Sequence, residues 1–224
     1  MKKFFILIII SVLFSNIQAQ EKTFASPNYD AIQHAIQDKS SIYYYSDLMQ
    51  RFENYDTTLT FEDYQHLYYG YVFQKDYSPY KSFSKDEELL KYYRNSNIKE
   101  KDYQTIIELV NESLEEFPFE ANYLEFMLHI YTLKEDKEMV NKILRRLLGI
   151  ISVITSSGDG KTCETAYHVI SVSHEYLILN YFELTIKSQS LVEMKCDYIA
   201  LKENKEKIKG LYFNVGKLFD IGIK

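Results

Sequence analysis

In this 224-residue chain the string Gly158-Asp159-Gly160-Lys161-Thr162 is the first place where residue types suggest chemistry, because Gly-Lys-Thr ends the loop that cradles nucleotide phosphates. Spacing excludes that reading. The phosphate loop needs a glycine five positions before Gly160, where Thr155 stands, and it joins a strand to a helix, whereas here a helical pattern precedes and an alternating one follows. The string therefore reads as a tight turn, with glycine supplying left-handed backbone and Asp159 a side-chain-to-backbone bond. Ser157, Asp159, His168 and His174, with Cys163 between them, include the types that a nucleophile, a base and an orienting acid require. Neither a Gly-x-Ser-x-Gly elbow nor a catalytic-cysteine signature surrounds them, so no catalytic residue is assigned.

The acidic pairs Glu62-Asp63, Glu87-Glu88 and Glu115-Glu116 fall on helical segments, where neighbours diverge by about 100° and do not face one another as general acid and base. Glu125 and His129 have the i, i+4 spacing of two metal ligands but lack a third, so neither a metal site nor a cofactor is expected. Cys163 and Cys196 can pair as a disulfide or sit as small buried hydrophobes; both options stay open. Tyrosine is the compositional oddity, with 21 Tyr and 14 Phe but no Trp. Tyr43, Tyr69 and Tyr92 fall off the apolar stripes. Tyr69 lies beside Gly70, a helix-interior glycine that costs about 1 kcal/mol relative to alanine and so implies close approach of another element. Tyr69 therefore lines either a helix contact or a ligand groove. Candidate ligand-binding residues are Tyr69 and Gly70 on this helix, with Asp159, Lys161 and Glu175 at the helix–sheet junction.

These residues must be positioned by a helical body and a stranded tail. Tyr29, Ile32 and Ile36 begin a helical periodicity, and Tyr44, Tyr45, Leu48, Met49 and Phe52 continue it. Thr60 with Asp63 and Ser84 with Glu87 read as capping boxes, the first opening a helix faced by Tyr64, Leu67, Tyr68, Tyr71 and Val72, the second one with Leu89, Leu90 and Tyr93 inward. From Leu90 a 34-residue offset maps Leu90, Tyr93, Ile106 and Val110 onto Leu124, Met127, Val140 and Leu144, a partial resemblance to tetratricopeptide-like helical hairpins, with Pro118 closing one unit. The last helical face is Met139, Val140, Ile143, Leu144, Leu147 and Leu148. After the Ser156–Lys161 loop the period becomes two: Val192, Met194, Cys196 and Tyr198 alternate with polar residues, as do Leu211, Phe213 and Val215. Ala166–Val172 reads as a third strand, and Glu175–Ile186 as strand or helix. The expected fold class is α+β: six or seven helices arranged as hairpins over residues 28–155, then a small C-terminal antiparallel sheet over 164–216, forming one domain across 20–224.

Residues 1–19 read as a secretory signal peptide, with Lys2 and Lys3 ahead of the apolar run Phe4–Phe14 and cleavage after Ala19. This eleven-residue run, broken only by Ser11, falls short of the roughly 20 residues that a permanent membrane span needs, and no lipobox cysteine is present. A periplasmic or secreted location follows. The chain carries a net charge of -6; loss of Lys2 and Lys3 from its 26 basic residues leaves 24 against 32 acidic ones, a net charge of -8, which argues against nucleic acid as a partner. The exported start, Leu67-Tyr68-Tyr69-Gly70-Tyr71, the Ser157–Lys161 loop, Glu175-Tyr176, Gln189-Ser190-Leu191 and Leu211-Tyr212-Phe213 together resemble an exported Bacteroidetes-type family, domain of unknown function 4919. That resemblance implies an address and a size but no activity. The expected function is a noncatalytic binding or scaffold protein of the cell envelope, with a protein, peptide or glycan as partner. The alternative is an envelope hydrolase using polar residues at the helix–sheet junction, which would require Asp159, His168, His174 and Glu175 to converge in a deep pocket.

Overall fold

The computed structural model describes residues 24–79, 83–95 and 97–222, so the 1–19 signal segment lies outside the described residues. Among the described residues seven α-helices come first: α1 (Tyr29–Gln37), α2 (Tyr45–Glu53), α3 (Phe61–Gly70), α4 (Asp86–Tyr93), α5 (Tyr103–Glu116), α6 (Ala121–Leu133) and α7 (Lys137–Ser156). After the 157–166 loop come β1 (Tyr167–His168), α8 (Ser173–Tyr181), β2 (Ile186–Val192), β3 (Cys196–Leu201), β4 (Gly210–Asn214) and α9 (Gly216–Gly222). The protein is α+β and mainly helical.

Helix starts follow local chemistry. The Asn28 side chain accepts from Ala31 N–H, Thr60 and Asp63 form the expected reciprocal capping box, and Asp136 caps Met139. The second expected box does not form: α4 begins at Asp86 with no side-chain cap, and Ser84 instead bonds the Glu116 carboxylate at the end of α5. Only Leu89 of α4 is buried, while Leu90 and Tyr93 are exposed, because a helix of eight residues lying at the edge of the bundle buries one narrow stripe. Leu144 and Leu148 of α7 are likewise exposed, and line an open cleft of about 680 Å³ against the start of α3 that Phe61 and Arg145 also border. At the wall of this cleft, Gly149 of α7 faces Tyr64 of α3 so closely that a Cβ would overlap the ring.

The sheet has strand order β1-β4-β3-β2. Its β2–β3 and β3–β4 pairs are antiparallel as expected, but β1 pairs parallel to β4, with Tyr167 opposite Phe213. The expected strand Ala166–Val172 is thus only two residues long, because the chain leaves the edge to begin α8, which settles the strand-or-helix segment as helix through Tyr181. The alternation Val192-Met194-Cys196-Tyr198 spans a hairpin rather than one strand: Glu193 and Met194 are left-handed (φ 55° and 56°) and Val192 pairs with Cys196. Two consecutive left-handed non-glycine residues carry no strong sequence signature, so period-two polarity masks the turn. One continuous apolar core runs from Ile32 in α1 through Phe119 and Ile150 to Ile199 and Phe213 in the sheet. On the sheet's opposite face the Cys163–Cys196 disulfide ties the 157–166 loop to β3 and packs with Ala166 of that loop against Tyr212.

Candidate functional site

Consecutive residues of α8 point to opposite sides. His174 enters the helical body and Glu175 meets the sheet, and both are fully buried. His174 Nε2 lies 2.8 Å from the Phe119 carbonyl, which can only accept, so Nε2 carries the proton. Nδ1 then accepts the Tyr68 hydroxyl at 2.7 Å, and the Tyr68 oxygen accepts Ile170 N–H at 3.3 Å. Burial lowers the His174 pKa to about 4, which keeps the ring neutral and the tautomer fixed. This chain of bonds ties α3, the α5–α6 connection and the β1–α8 connection together. It has no free proton acceptor to offer a substrate.

On the other side, strand register sets Gln189, Asp197, Ile199 and Phe213 on the sheet face that α8 covers. Gln189 Nε2 donates to Glu175 Oε2 at 2.9 Å and to Asp197 Oδ2 at 2.7 Å, while its Oε1 accepts the Tyr176 hydroxyl at 2.9 Å. Glu175 Oε1 is buried without a partner. Burial first, and then the charge and hydrogen bond of Asp197, push the Glu175 pKa up to about 9. Glu175 therefore keeps its proton at neutral pH, as expected of a buried carboxyl set beside another. Asp197 and Gln189 were not distinguished by sequence pattern, because only the β2–β3 register places them beside Glu175.

The remaining junction candidates do not join this pair. Asp159 accepts from Lys161 N–H at 3.0 Å, the side-chain-to-backbone turn expected, and pairs with the exposed Lys161 ammonium at 3.0 Å. Asp159 and Gly160 N–H both donate to the Thr165 carbonyl, Gly160 adopts φ +68°, and its carbonyl accepts from Tyr212 N–H. The loop is pinned to the sheet, not shaped to receive a phosphate. His168 lies beside Tyr29, its Nδ1 buried and unpartnered, and burial lowers its pKa to about 4. No hydrogen bond or ion pair links any two of Asp159, His168, His174 and Glu175. Among the described residues no group of three or more His, Cys, Asp or Glu is placed to hold a metal ion.

Of the two placements open to Tyr69, the helix contact is the one realised. Its ring is fully buried, and its hydroxyl donates to the Val153 carbonyl of α7 at 3.0 Å. Gly70 shows the close approach its position implied: a Cβ there would meet Ile36 Cδ1 at 3.1 Å and Tyr45 Cε2 at 3.3 Å. Those two neighbours belong to the wall of a groove of about 750 Å³ between α1 and α2. Ile36, Met49 and Phe73 give it an apolar base, while Gln37, Tyr44, Ser46, Gln50 and Glu53 rim it. Ser46, Gln50 and Glu53 recur at i, i+4 and i+7, so they share one face of α2. The side chains of Gln37, Tyr44, Ser46, Gln50 and Glu53 make no hydrogen bond or ion pair within the protein, whereas Tyr45 and Gln74 in the same groove are fixed on the Leu67 and Gly70 carbonyls.

The sequence profile of a family described as a domain of unknown function, DUF4919, matches residues 16–224. The chain belongs to this family. The match takes in every described element of the DUF4919 fold, helical body and sheet alike, including the α1–α2 groove and the α8 junction. No curated protein and no solved structure matches the chain significantly.

Arg146 is a further feature that sequence periodicity missed. It is buried on α7 with its guanidinium 3.9 Å over the Phe52 ring and 4.9 Å from that of Tyr55, and one amine donates to the Pro118 carbonyl at 3.4 Å. Aromatic faces stand in for a carboxylate there, and desolvation lowers its pKa.

Proposed function

We propose that this DUF4919 protein is a noncatalytic binding protein of the cell envelope, exported by the 1–19 signal segment to the periplasm or beyond. The observation that carries the reading is the distribution of unspent hydrogen-bonding groups. His174, Tyr68, Tyr69 and Asp159 are each committed to contacts that hold the fold, whereas five side chains with free donors or acceptors gather around one groove between α1 and α2. No hydrogen bond within the protein occupies those five side chains, which leaves them to solvent or a ligand. A protein, peptide or glycan of the envelope fits the reading. The acidic balance disfavours nucleic acid. Among the described residues no helix is long and apolar enough to cross a membrane. The Cys163–Cys196 bond is compatible with an oxidising compartment.

The test is localisation followed by capture. Fractionation should recover the chain in the envelope or medium with a new N-terminus at Gln20, and photo-crosslinking from position 50 should trap a partner. Retention in the cytoplasm with Met1 intact would refute export.

A second reading, an envelope hydrolase acting from the helix–sheet junction, has one observation in its favour, the buried Glu175 carboxyl with its raised pKa, joined to Asp197 through Gln189. The Glu175 side chain is closed off under α8, so a substrate would have to displace Gln189 to reach it. Hydrolytic activity lost in Asp197→Asn but retained in Gln50→Ala would favour this reading over binding.

A further inference from the structure

We infer that the α1–α2 groove is a site for a neutral saccharide, an inference that rests on the binding reading above and names its ligand class. Four properties of the groove select that class.

Its free groups are of matching type. Gln37 and Gln50 each present an amide with both donor and acceptor, and Ser46 and Tyr44 each present a hydroxyl that can do either. A sugar hydroxyl also donates and accepts, so a ring of such neutral groups satisfies a polyol without leaving any partner unpaired. The charge is right as well. None of the lining residues is basic, and Glu53 is the one ionised group, so phosphate, sulfate or a uronic acid would meet an acid and no counter-charge. A carboxylate against sugar hydroxyls instead makes charge-assisted hydrogen bonds.

The base of the groove supplies the apolar half. Half-buried Tyr44, Met49 and Phe73 expose carbon surface to which the C–H face of a pyranose can lie, and Ile36 closes the bottom. Finally, the walls exclude the common peptide modes. Both are helices, so no strand edge is available to pair with an extended backbone, and the amide-rich rim offers no continuous apolar trough for an amphipathic helix. A volume of about 750 Å³ accommodates a di- or trisaccharide.

The full mature chain should be titrated with maltotriose, cellotriose, mannotriose and lacto-oligosaccharide, alongside sialyllactose and a mixed hexapeptide library, while the side-chain amide signals of Gln37 and Gln50 are followed by NMR. At least one neutral oligosaccharide should shift both amide signals, and Gln50→Ala should weaken it about 3- to 10-fold, the loss of a single hydrogen bond. Tyr44→Ala should weaken it further, and Gln50→Ala, at an exposed side chain, should leave the melting temperature within a degree or two of wild type. Peptide or sialyllactose shifting the Gln37 and Gln50 amides in place of neutral sugars would overturn the saccharide inference and leave the binding reading standing. No ligand of any class shifting them, with no crosslinked partner from position 50, would overturn both.

Discussion

Replacing Glu175 with Gln tests whether the junction carboxyl is held protonated. Its pKa is about 9 in the folded protein against an ordinary 4.5, with burial as the leading cause and Asp197 second. A group whose folded pKa is raised contributes stability that is full below pH 4.5 and is lost as pH rises toward 9, because over that window the native state keeps a proton that the unfolded chain releases. At pH 7.5 the unfolded carboxyl is ionised by three units, which at 1.36 kcal/mol each sets a ceiling of about 4 kcal/mol on the cost of keeping it neutral. Gln189 and Asp197 are partly open to solvent, which screens their share, so a net gain of about 1–3 kcal/mol is expected for Glu175→Gln, whose amide has the shape of the protonated acid and can donate to Asp197. The gain should shrink to about 0.4 kcal/mol or less at pH 4.5, where the folded carboxyl keeps its proton and the unfolded one is half protonated. Urea denaturation of both proteins at pH 4.5, 6.0, 7.5 and 9.0 measures this directly. A destabilised variant at pH 7.5, or a difference independent of pH, would refute the protonated state of Glu175.

Tyr68→Phe leaves His174 Nδ1 and Ile170 N–H without partners in the core and should cost about 1–3 kcal/mol by chemical denaturation, whereas a change below half that would mean the relay is not formed. Because the His174 pKa is lowered to about 4, stability should fall as pH drops below 6.5 toward 4, and NMR at pH 5 should still show a neutral Nε2-protonated ring. Gly160→Val combines a left-handed φ with a clash on Tyr167 and should destabilise by about 2–4 kcal/mol; wild-type stability would mean the loop is not docked on the sheet. Opening the Cys163–Cys196 link, which spans 33 residues, by Cys163→Ser with Cys196→Ser should cost up to about 3–4 kcal/mol and raise hydrogen exchange in the 157–166 loop and β3 while sparing α1–α3.

How much of this was legible in advance depended on range. The capping box at Thr60, the turn at Asp159 and the buried stripes of α1 to α3 are set by residues within four positions of one another, and sequence pattern found each of them; Gly70 signalled a close approach, but not that Ile36 and Tyr45 make it. Failures arose where polarity was right and geometry was not. Leu144 and Leu148 continue an apolar stripe but fall beyond the width that α3 covers, and the period-two run through Met194 conceals a reversal of the chain. The candidate site divides the same way. Glu175 and Tyr69 were singled out by type and position, but the partners that give them a role, Asp197 through strand register and Val153 through helix packing, are 22 and 84 residues away.

Composition and local spacing were therefore enough for the α+β class, the order of a helical body before a sheet and the exclusion of a phosphate loop, while the family rested on the resemblance of short motifs. Only tertiary structure decided that His174 and Glu175, adjacent in the chain, serve opposite sides of α8, that Arg146 sits under aromatic rings, and that the free amides of Gln37 and Gln50 meet across one groove. The reason is that hydrophobic periodicity records which face of an element leaves water, while the identity of what lies against that face is fixed by packing between segments distant in sequence, on which local pattern places no constraint.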